Sequence, residues 1–102
     1  MNRFKIPKKF KLFGNEILVQ YDENKSRELE ALGACSSNLN KIIYTNISST
    51  GTLPKDVISQ TFMHELIHMI LFKMGENKIA EDEKFVDLFS QLLYQYYITA
   101  EY

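Results

Sequence analysis

Both histidines of the chain fall inside one five-residue pattern, His64-Glu65-Leu66-Ile67-His68. Residues four apart in a helix lie one above the other on the same face, so both imidazoles can reach one metal ion. Glu65 projects beside that face, where its carboxylate can take a proton from a water molecule bound to the ion. This HExxH spacing predicts a zinc ion held by His64 and His68, with Glu65 as the general base.

The third zinc ligand must come from another part of the chain, because a catalytic zinc site uses three protein ligands and one open position. No other histidine exists, and the single cysteine, Cys35, is distant in the pattern. A carboxylate is therefore expected, and three acidic residues cluster in the first turn of the last predicted helix: Glu81, Asp82 and Glu83. The helix dipole alone would also explain acids in a first helical turn. Periodicity gives Glu83 a small advantage because it shares a helix face with Asp87.

Two long helices are predicted in the second half of the chain. The first runs from Pro54 to Met74, ends at Gly75 and carries the HExxH motif. Its apolar residues cover nearly the whole circumference, so we expect a central, buried helix. The second runs from about Ile79 to Thr99. Its predicted buried stripe consists of Phe85, Val86, Leu88, Phe89, Leu92, Leu93 and Tyr96.

Short apolar runs in the first half of the chain predict strands. Gly14-Asn15 separates two of these runs, residues 10–13 and 17–21, and indicates a hairpin. Two further strands, Ala34 to Ser37 and Lys41 to Thr45, are expected around a turn.

The remaining segments complete a predicted α+β fold. Residues 24–32 read as a short helix with Gly33 as its C-terminal cap, and residues 48–52 read as a loop. Strands followed by two long helices predict a small N-terminal β-sheet packed on the helices.

Length, charge and cysteine usage limit the function classes. The chain has 102 residues, of which 45% are hydrophobic and 25% charged, which predicts one globular domain over residues 1–102. Its formal charge of −1 gives no field that would attract nucleic acid or an anionic membrane. The basic stretch at residues 1–13 reads as a solvated strand. One cysteine excludes an internal disulfide framework, and the absence of a long apolar run adds to an expectation of a cytoplasmic protein.

The run from Glu83 to Ser90 (EKFVDLFS), which follows the HExxH helix, resembles the glutamate helix of the gluzincin metallopeptidases. In that clan the helix carries the glutamate that binds zinc. In its thermolysin-like members an aspartate four residues later orients the first histidine of the motif. The resemblance implies Glu83 as the third zinc ligand and Asp87 as the residue that holds His64, in keeping with the usual partnership of a ligating histidine and a carboxylate.

The same run resembles the E-x-x-A-x-x-F-A helix of ImmA/IrrE-type proteins of phages and mobile elements, with Val86 and Ser90 in place of the two alanines. The short length is similar to that of single-domain minigluzincins. These resemblances cover about residues 40–98. They imply a zincin-like fold, zinc as the cofactor and hydrolysis of a peptide or protein substrate.

One departure from the thermolysin-like enzymes concerns the oxyanion. Those enzymes bring a histidine or tyrosine from a second subdomain, whereas this chain has no third histidine. Tyr44, on a predicted edge strand, is the candidate for a substrate or oxyanion contact; the alternative is a half-buried strand tyrosine. The exposed strand predicted at Ile42–Thr45 would hold an extended substrate by strand addition.

Two other functions stay open at this point. The protein could be a non-catalytic, metal-stabilised interaction or regulatory protein of a phage or mobile element. It could also be a latent peptidase whose tail, residues 96–102, folds back across the cleft. So short a chain is expected to form a shallow cleft that lacks one wall. A partner protein, a second copy of the chain in a homodimer, or the chain's own tail could supply that wall.

Overall fold

The computed structural model describes residues 4–22, 33–45, 47–48 and 51–102. The strands in these ranges are β1 (Lys9–Leu12), β2 (Asn15–Tyr21), β3 (Gly33–Ser36), β4 (Lys41–Tyr44), β5 (Ile47–Ser48) and β6 (Gly51–Thr52). The helices are α1 (Lys55–Lys73), α2 (Asn77–Ala80) and α3 (Glu83–Thr99). The predicted α+β class, with strands first and helices last, is confirmed.

A four-stranded mixed sheet has the order β1-β2-β4-β3. β1 and β2 form the predicted antiparallel hairpin, whose turn at Phe13 and Gly14 has φ angles of 51° and 79°. β2 pairs with β4 in parallel, and β3 pairs with β4 antiparallel around the predicted turn.

The strand predicted at Ile42–Thr45 lies inside the sheet, so its prediction as an exposed edge is wrong. β4 is paired on both sides, and the edges of the sheet are β1 and β3. Ile42 and Thr45 are both 0% exposed. A strand buried in this way is rich in apolar residues on both faces, which fits Ile42, Ile43 and Tyr44 better than an edge position does.

Helix α1 is the predicted central helix. It packs against β3 and β4 on one side and against α3 on another. Its buried residues Phe62, Met63 and Met69 join Ile17 and Ile42 of the sheet in the core. The helix ends just before Gly75, whose φ of 79° is the left-handed conformation expected after a helix end.

The predicted helix from Ile79 to Thr99 is instead two helices, α2 and α3. Asp82 explains the break. Its carboxylate accepts a hydrogen bond of 3.1 Å from the backbone N–H of Phe85, so Asp82 caps α3. The cap fixes Glu83 as the first residue of α3.

The face that α3 turns toward the core differs from the predicted one. Its buried residues are Val86, Ser90 and Tyr94, one every four positions. Ser90 is small and fully buried, and its hydroxyl donates to the carbonyl of Asp87 and accepts from Gln60 on α1. Only Val86 of the predicted stripe is buried, because apolar side chains occupy both faces of this helix and hydrophobicity alone does not choose between them.

Three smaller points complete the comparison. The predicted helix at 24–32 lies outside the described residues, and Gly33 is the first residue of β3. The predicted loop at 48–52 includes parts of a short ladder in which Ile47 pairs with Thr52. Within the described part of the chain, no helix is long and apolar enough to cross a membrane.

Candidate metal centre

The two imidazoles of the HExxH motif meet on one face of α1, as their spacing requires. The Nε2 atoms of His64 and His68 are 3.1 Å apart. The carboxylate of Glu83 approaches both of them, with Oε2 at 3.1 Å from His64 Nε2 and Oε1 at 3.2 Å from His68 Nε2. His64, His68 and Glu83 are therefore close enough to hold a metal ion between them.

A backbone carbonyl decides which nitrogen of His68 carries hydrogen. Nδ1 of His68 lies 2.7 Å from the carbonyl oxygen of Ala80, which can only accept. The hydrogen of the neutral ring is therefore on Nδ1, and Nε2 presents its lone pair to the cluster. Ala80 ends α2, where carbonyls lack partners within the helix, so the same contact also satisfies a helix terminus.

Asp87 acts on His64 in a similar way. Its Oδ1 lies 3.5 Å from Nδ1 of His64, so a hydrogen on that nitrogen faces a carboxylate. Asp87 itself is held by Gln91, whose amide donates to Oδ2 at 2.9 Å. With its hydrogen on Nδ1, toward Asp87, His64 would direct the Nε2 lone pair at the cluster, as a metal ligand must.

The donor set fits a small tetrahedral cation. Two imidazole nitrogens and a carboxylate converge, and a cation placed between them would be attracted by the carboxylate and could accept the nitrogen lone pairs. Ligands at about 2.0–2.1 Å from a tetrahedral zinc ion are about 3.3 Å apart. The two histidine Nε2 atoms, 3.1 Å apart, are close to that spacing, and one ligand atom from each of the three residues lies within 4.8 Å of the others.

Glu65 lies beside the cluster in a site largely withdrawn from water. The pKa of its carboxyl group is raised to about 7, chiefly by burial; His64 acts in the opposite direction, and the charge of Glu83 contributes a smaller rise. Strand β3 passes close to Glu65. A Cβ added at Gly33 would lie 3.2 Å from Cγ of Glu65 and 2.7 Å from Cγ2 of Thr61. A carboxyl group with a pKa near neutrality can both accept and return a proton.

An open cavity of about 690 Å³ lies over the cluster. It contains the side chains of His64, His68, Glu65, Glu83 and Asp87 and extends along α1. The far end, which sequence reasoning missed, is formed by Gln60, Asp56 and Tyr94. The sequence signal for Tyr94 is helical periodicity, because it lies about three turns after Glu83 and shares its face; its hydroxyl donates to Asp56 at 3.0 Å.

Tyr44 is not brought to the metal cluster. It lines a separate cavity of about 640 Å³, where its ring lies 5.7 Å from that of Tyr21. The expected contact between Tyr44 and the oxyanion fails because β4 is internal and this side chain packs beside β2. The surroundings of Tyr44 match the alternative, a partly buried strand tyrosine.

The C-terminal tail does not cross the cavity either. Residues 96–99 belong to α3, and the hydroxyl of Tyr102 lies 3.2 Å from that of Tyr96. Tyr96 is on the exposed side of the helix, 58% accessible to solvent. The tail therefore lies away from Glu83 and the two histidines.

Cys35 is nearer to the site than its place in the sequence suggests. It lies on β3 and lines a cavity of about 290 Å³ together with Glu65, His68 and Glu83. Burial raises the pKa of its thiol to about 12, and the charge of Glu65 adds to the rise while Lys73 opposes it. At neutral pH Cys35 is accordingly a neutral thiol beside the cluster.

Comparisons with protein-family models, curated proteins and solved structures found no significant match. The gluzincin resemblance consequently remains an expectation carried by the residues of the two helices.

Proposed function

We propose that this protein is a zinc-dependent metallopeptidase that hydrolyses a peptide bond in a peptide or protein substrate. The observation that carries the proposal is a partly buried carboxylate, Glu65, next to three converging candidate ligands and in the lining of an open cavity. A purely structural metal site needs its ligands but has no use for such a base. In the metal-free chain the pKa of this carboxyl group is raised to about 7, mainly by burial, which suits a group that must both accept and return a proton.

The ligands in this proposal are His64, His68 and Glu83. Zinc, when bound, would lower the pKa of a water molecule and polarise the carbonyl of the substrate. Asp87 and the carbonyl of Ala80 keep the two imidazoles oriented with Nε2 toward the ion.

Glu65 moves the proton. It accepts a proton from the water that attacks the carbonyl carbon, and the carbon–nitrogen bond then breaks. Glu65 delivers the same proton to the departing amine, so one residue acts first as base and then as acid.

The substrate would lie along β3. Within the described residues β3 pairs only with β4, and it is the edge strand that packs against α1. An extended peptide that added to this edge would run past Gly33, where an added Cβ would lie 3.2 Å from Cγ of Glu65. This moves the proposed docking strand from β4 to β3.

Substitution of Glu65 by Gln tests the proposal. The wild type should bind about one zinc ion per chain and cleave members of a quenched-fluorescence peptide library. Glu65→Gln should retain the metal and lose at least about a hundredfold in rate, because the base is absent. His68→Ala should lose both.

The exposed Glu76 offers a matched control, since Glu76→Gln makes the same chemical change outside the cavity. It should leave zinc content and cleavage unchanged. Full zinc occupancy with no cleavage of any peptide would contradict the peptidase proposal and favour the non-catalytic, metal-stabilised alternative.

A further inference from the structure

The outer face of α3 carries an apolar stripe that nothing in the described structure covers. We call this set the outer stripe: Phe85, Leu88, Phe89, Leu92 and Tyr96. Each of these side chains is between 41% and 67% exposed. At 3.6 residues per turn they share one side of the helix, opposite the buried residues Val86, Ser90 and Tyr94.

The charge pattern of α3 sets this face apart from an ordinary surface helix. From Leu88 to Ala100 the chain contains no charged residue. Water-facing helix surfaces are normally rich in charged side chains. Half-exposed large side chains present on the order of 100 Å² each, so the outer stripe amounts to about 500 Å² of apolar surface. A contiguous patch of this size marks an interaction surface.

The chain's own tail does not cover the outer stripe. Ala100 leaves the helix in an extended conformation, and Tyr102 is fully exposed. Its contact with the stripe is the pair of hydroxyl groups of Tyr102 and Tyr96. The occupant of this face must therefore come from outside the described residues.

We propose that the occupant is a second copy of this chain, whose α3 packs antiparallel against the first with the two-fold axis near Leu92. Phe85, Phe89, Leu92, Tyr96 and Thr99 follow one another at alternating steps of four and three residues. Alternation of this kind keeps a seam of side chains facing a partner helix.

The pattern is also self-complementary when it is reversed. Phe85 and Thr99 are equally far from Leu92 in sequence, and Phe89 and Tyr96 differ by a single position. A two-fold axis at Leu92 would thus bring Phe89 of one copy against Tyr96 of the other. In an isologous dimer the same surface of each copy forms both sides of the interface, so that surface must be complementary to itself.

Charges at the two ends of the outer stripe favour the antiparallel arrangement. Lys84 lies just before the stripe and Glu101 just after it. Antiparallel pairing brings Lys84 of one copy toward Glu101 of the other, whereas parallel pairing would bring like charges together. Antiparallel helix dipoles also attract one another.

The size of the interface sets the expected affinity. Two copies would remove about 1,000 Å² of stripe surface from water, at the lower limit of specific interfaces. We expect a dissociation constant in the micromolar range. Glu83 and Asp87 project toward α1 on the other side of the helix, so the dimer forms whether or not the peptidase proposal is correct.

Sedimentation velocity from about 1 to 200 µM tests the dimer. The wild type should change from monomer to dimer across this range. Leu92→Glu should raise the dissociation constant at least about tenfold, because it buries a charge in the centre of an apolar interface. Leu92 is 67% exposed, so the monomer should keep its fold and its circular dichroism spectrum.

Leu39 is a matched control, since it is 68% exposed and lies on the turn before β4. Leu39→Glu makes the same chemical change and should dimerise like the wild type. A wild type that stays monomeric over the whole range, or equal effects of Leu92→Glu and Leu39→Glu, would overturn the proposal.

Cysteine cross-linking tests the orientation, in a Cys35→Ser background. Leu92→Cys should form a disulfide between two copies on mild oxidation. Phe85→Cys alone should not, whereas the combination of Phe85→Cys with Thr99→Cys should, because antiparallel packing brings these positions together. A disulfide formed by Phe85→Cys alone would overturn the antiparallel arrangement.

Discussion

The two imidazoles of the metal centre are oriented by partners of different kinds. Ala80 offers a backbone carbonyl to His68, and Asp87 offers a carboxylate to His64. The first contact survives any substitution that preserves α2, whereas the second depends on one side chain. The site should therefore be more sensitive to changes at Asp87 than at Ala80.

Asp87→Ala should weaken zinc binding by about 10- to 100-fold without removing it, because the ligands stay and only the orientation of His64 is lost. Competition with a chelator of known affinity measures the change. Glu76→Ala removes an exposed acid away from the ligands and should have little effect. Equal zinc affinities for Asp87→Ala and the wild type would show that this carboxylate does not act on His64.

The carboxyl group of Glu65 links stability to pH in the metal-free protein. Its pKa is about 7 in the folded chain against an ordinary value of 4.5. The folded state therefore holds the proton more tightly, and this contribution to stability is fully present below pH 4.5 and lost as the pH rises through 7.

Glu65→Gln carries no such proton, so its stability relative to the wild type should increase between pH 5 and pH 8. The gain is at most about 3 kcal/mol. Urea unfolding of both proteins in the presence of a chelator measures it. A difference between the two proteins that does not change with pH would contradict the assigned burial of Glu65.

Among the strands and helices, the features predicted correctly from the sequence are those that depend on residues close together in the chain. The turn at Gly14, the strands on either side of residues 37–40 and the helix ending at Gly75 each depend on neighbours in the chain. The break before Glu83 was missed, although Asp82 carries the side chain expected of a cap.

Contacts between distant parts of the chain were beyond sequence reasoning. The contact from the backbone carbonyl of Ala80 has no sequence signature, because every residue carries a backbone carbonyl. The buried face of α3 depends on Ser90, a small polar residue whose hydroxyl finds Gln60 only after the helices pack. The HExxH spacing, by contrast, is fixed within one helix, and its histidines meet as the sequence predicted.

The close approach of β3 to α1 is tested by Gly33→Ala. The added methyl group would lie 2.7 Å from Cγ2 of Thr61. We expect a loss of about 1–3 kcal/mol in unfolding free energy, as for overpacking elsewhere. Chemical denaturation measures the loss.

Thr61→Ser separates this clash from other effects of the substitution. It deletes Cγ2 and keeps the hydroxyl that donates to the carbonyl of Val57 at 2.8 Å. The double variant with Gly33→Ala should regain much of the lost stability. No recovery would show that Thr61 does not limit how closely β3 approaches.

The residues of the candidate metal centre come from different helices of the molecule, so an ion bound there would link these helices. His64 and His68 belong to α1, Glu83 begins α3, and Ala80 brings in α2 through its carbonyl. A chain of 102 residues has a small core, so one ion bound between two helices would supply a large part of its stability.

Zinc should therefore raise the melting temperature. Free zinc at about 100 times its dissociation constant adds about 2.7 kcal/mol, which is on the order of 10 °C for a domain of this size. Thermal melts with zinc and with a chelator measure the shift. His68→Ala should show no shift, and an equal shift in that variant would mean that zinc stabilises the fold from another site.

The central claim, that His64, His68 and Glu83 form a zinc site, is tested most directly by X-ray absorption at the zinc edge of the loaded protein. We expect nitrogen and oxygen neighbours at about 2.0–2.1 Å, the scattering pattern of two imidazoles and no sulfur. Glu83→Ala should remove the carboxylate oxygen from the zinc ion and lower the affinity of the protein for zinc. Two results would show that zinc is not held by these three residues: a sulfur neighbour at about 2.3 Å, which the single cysteine Cys35 could supply, or the absence of imidazole scattering.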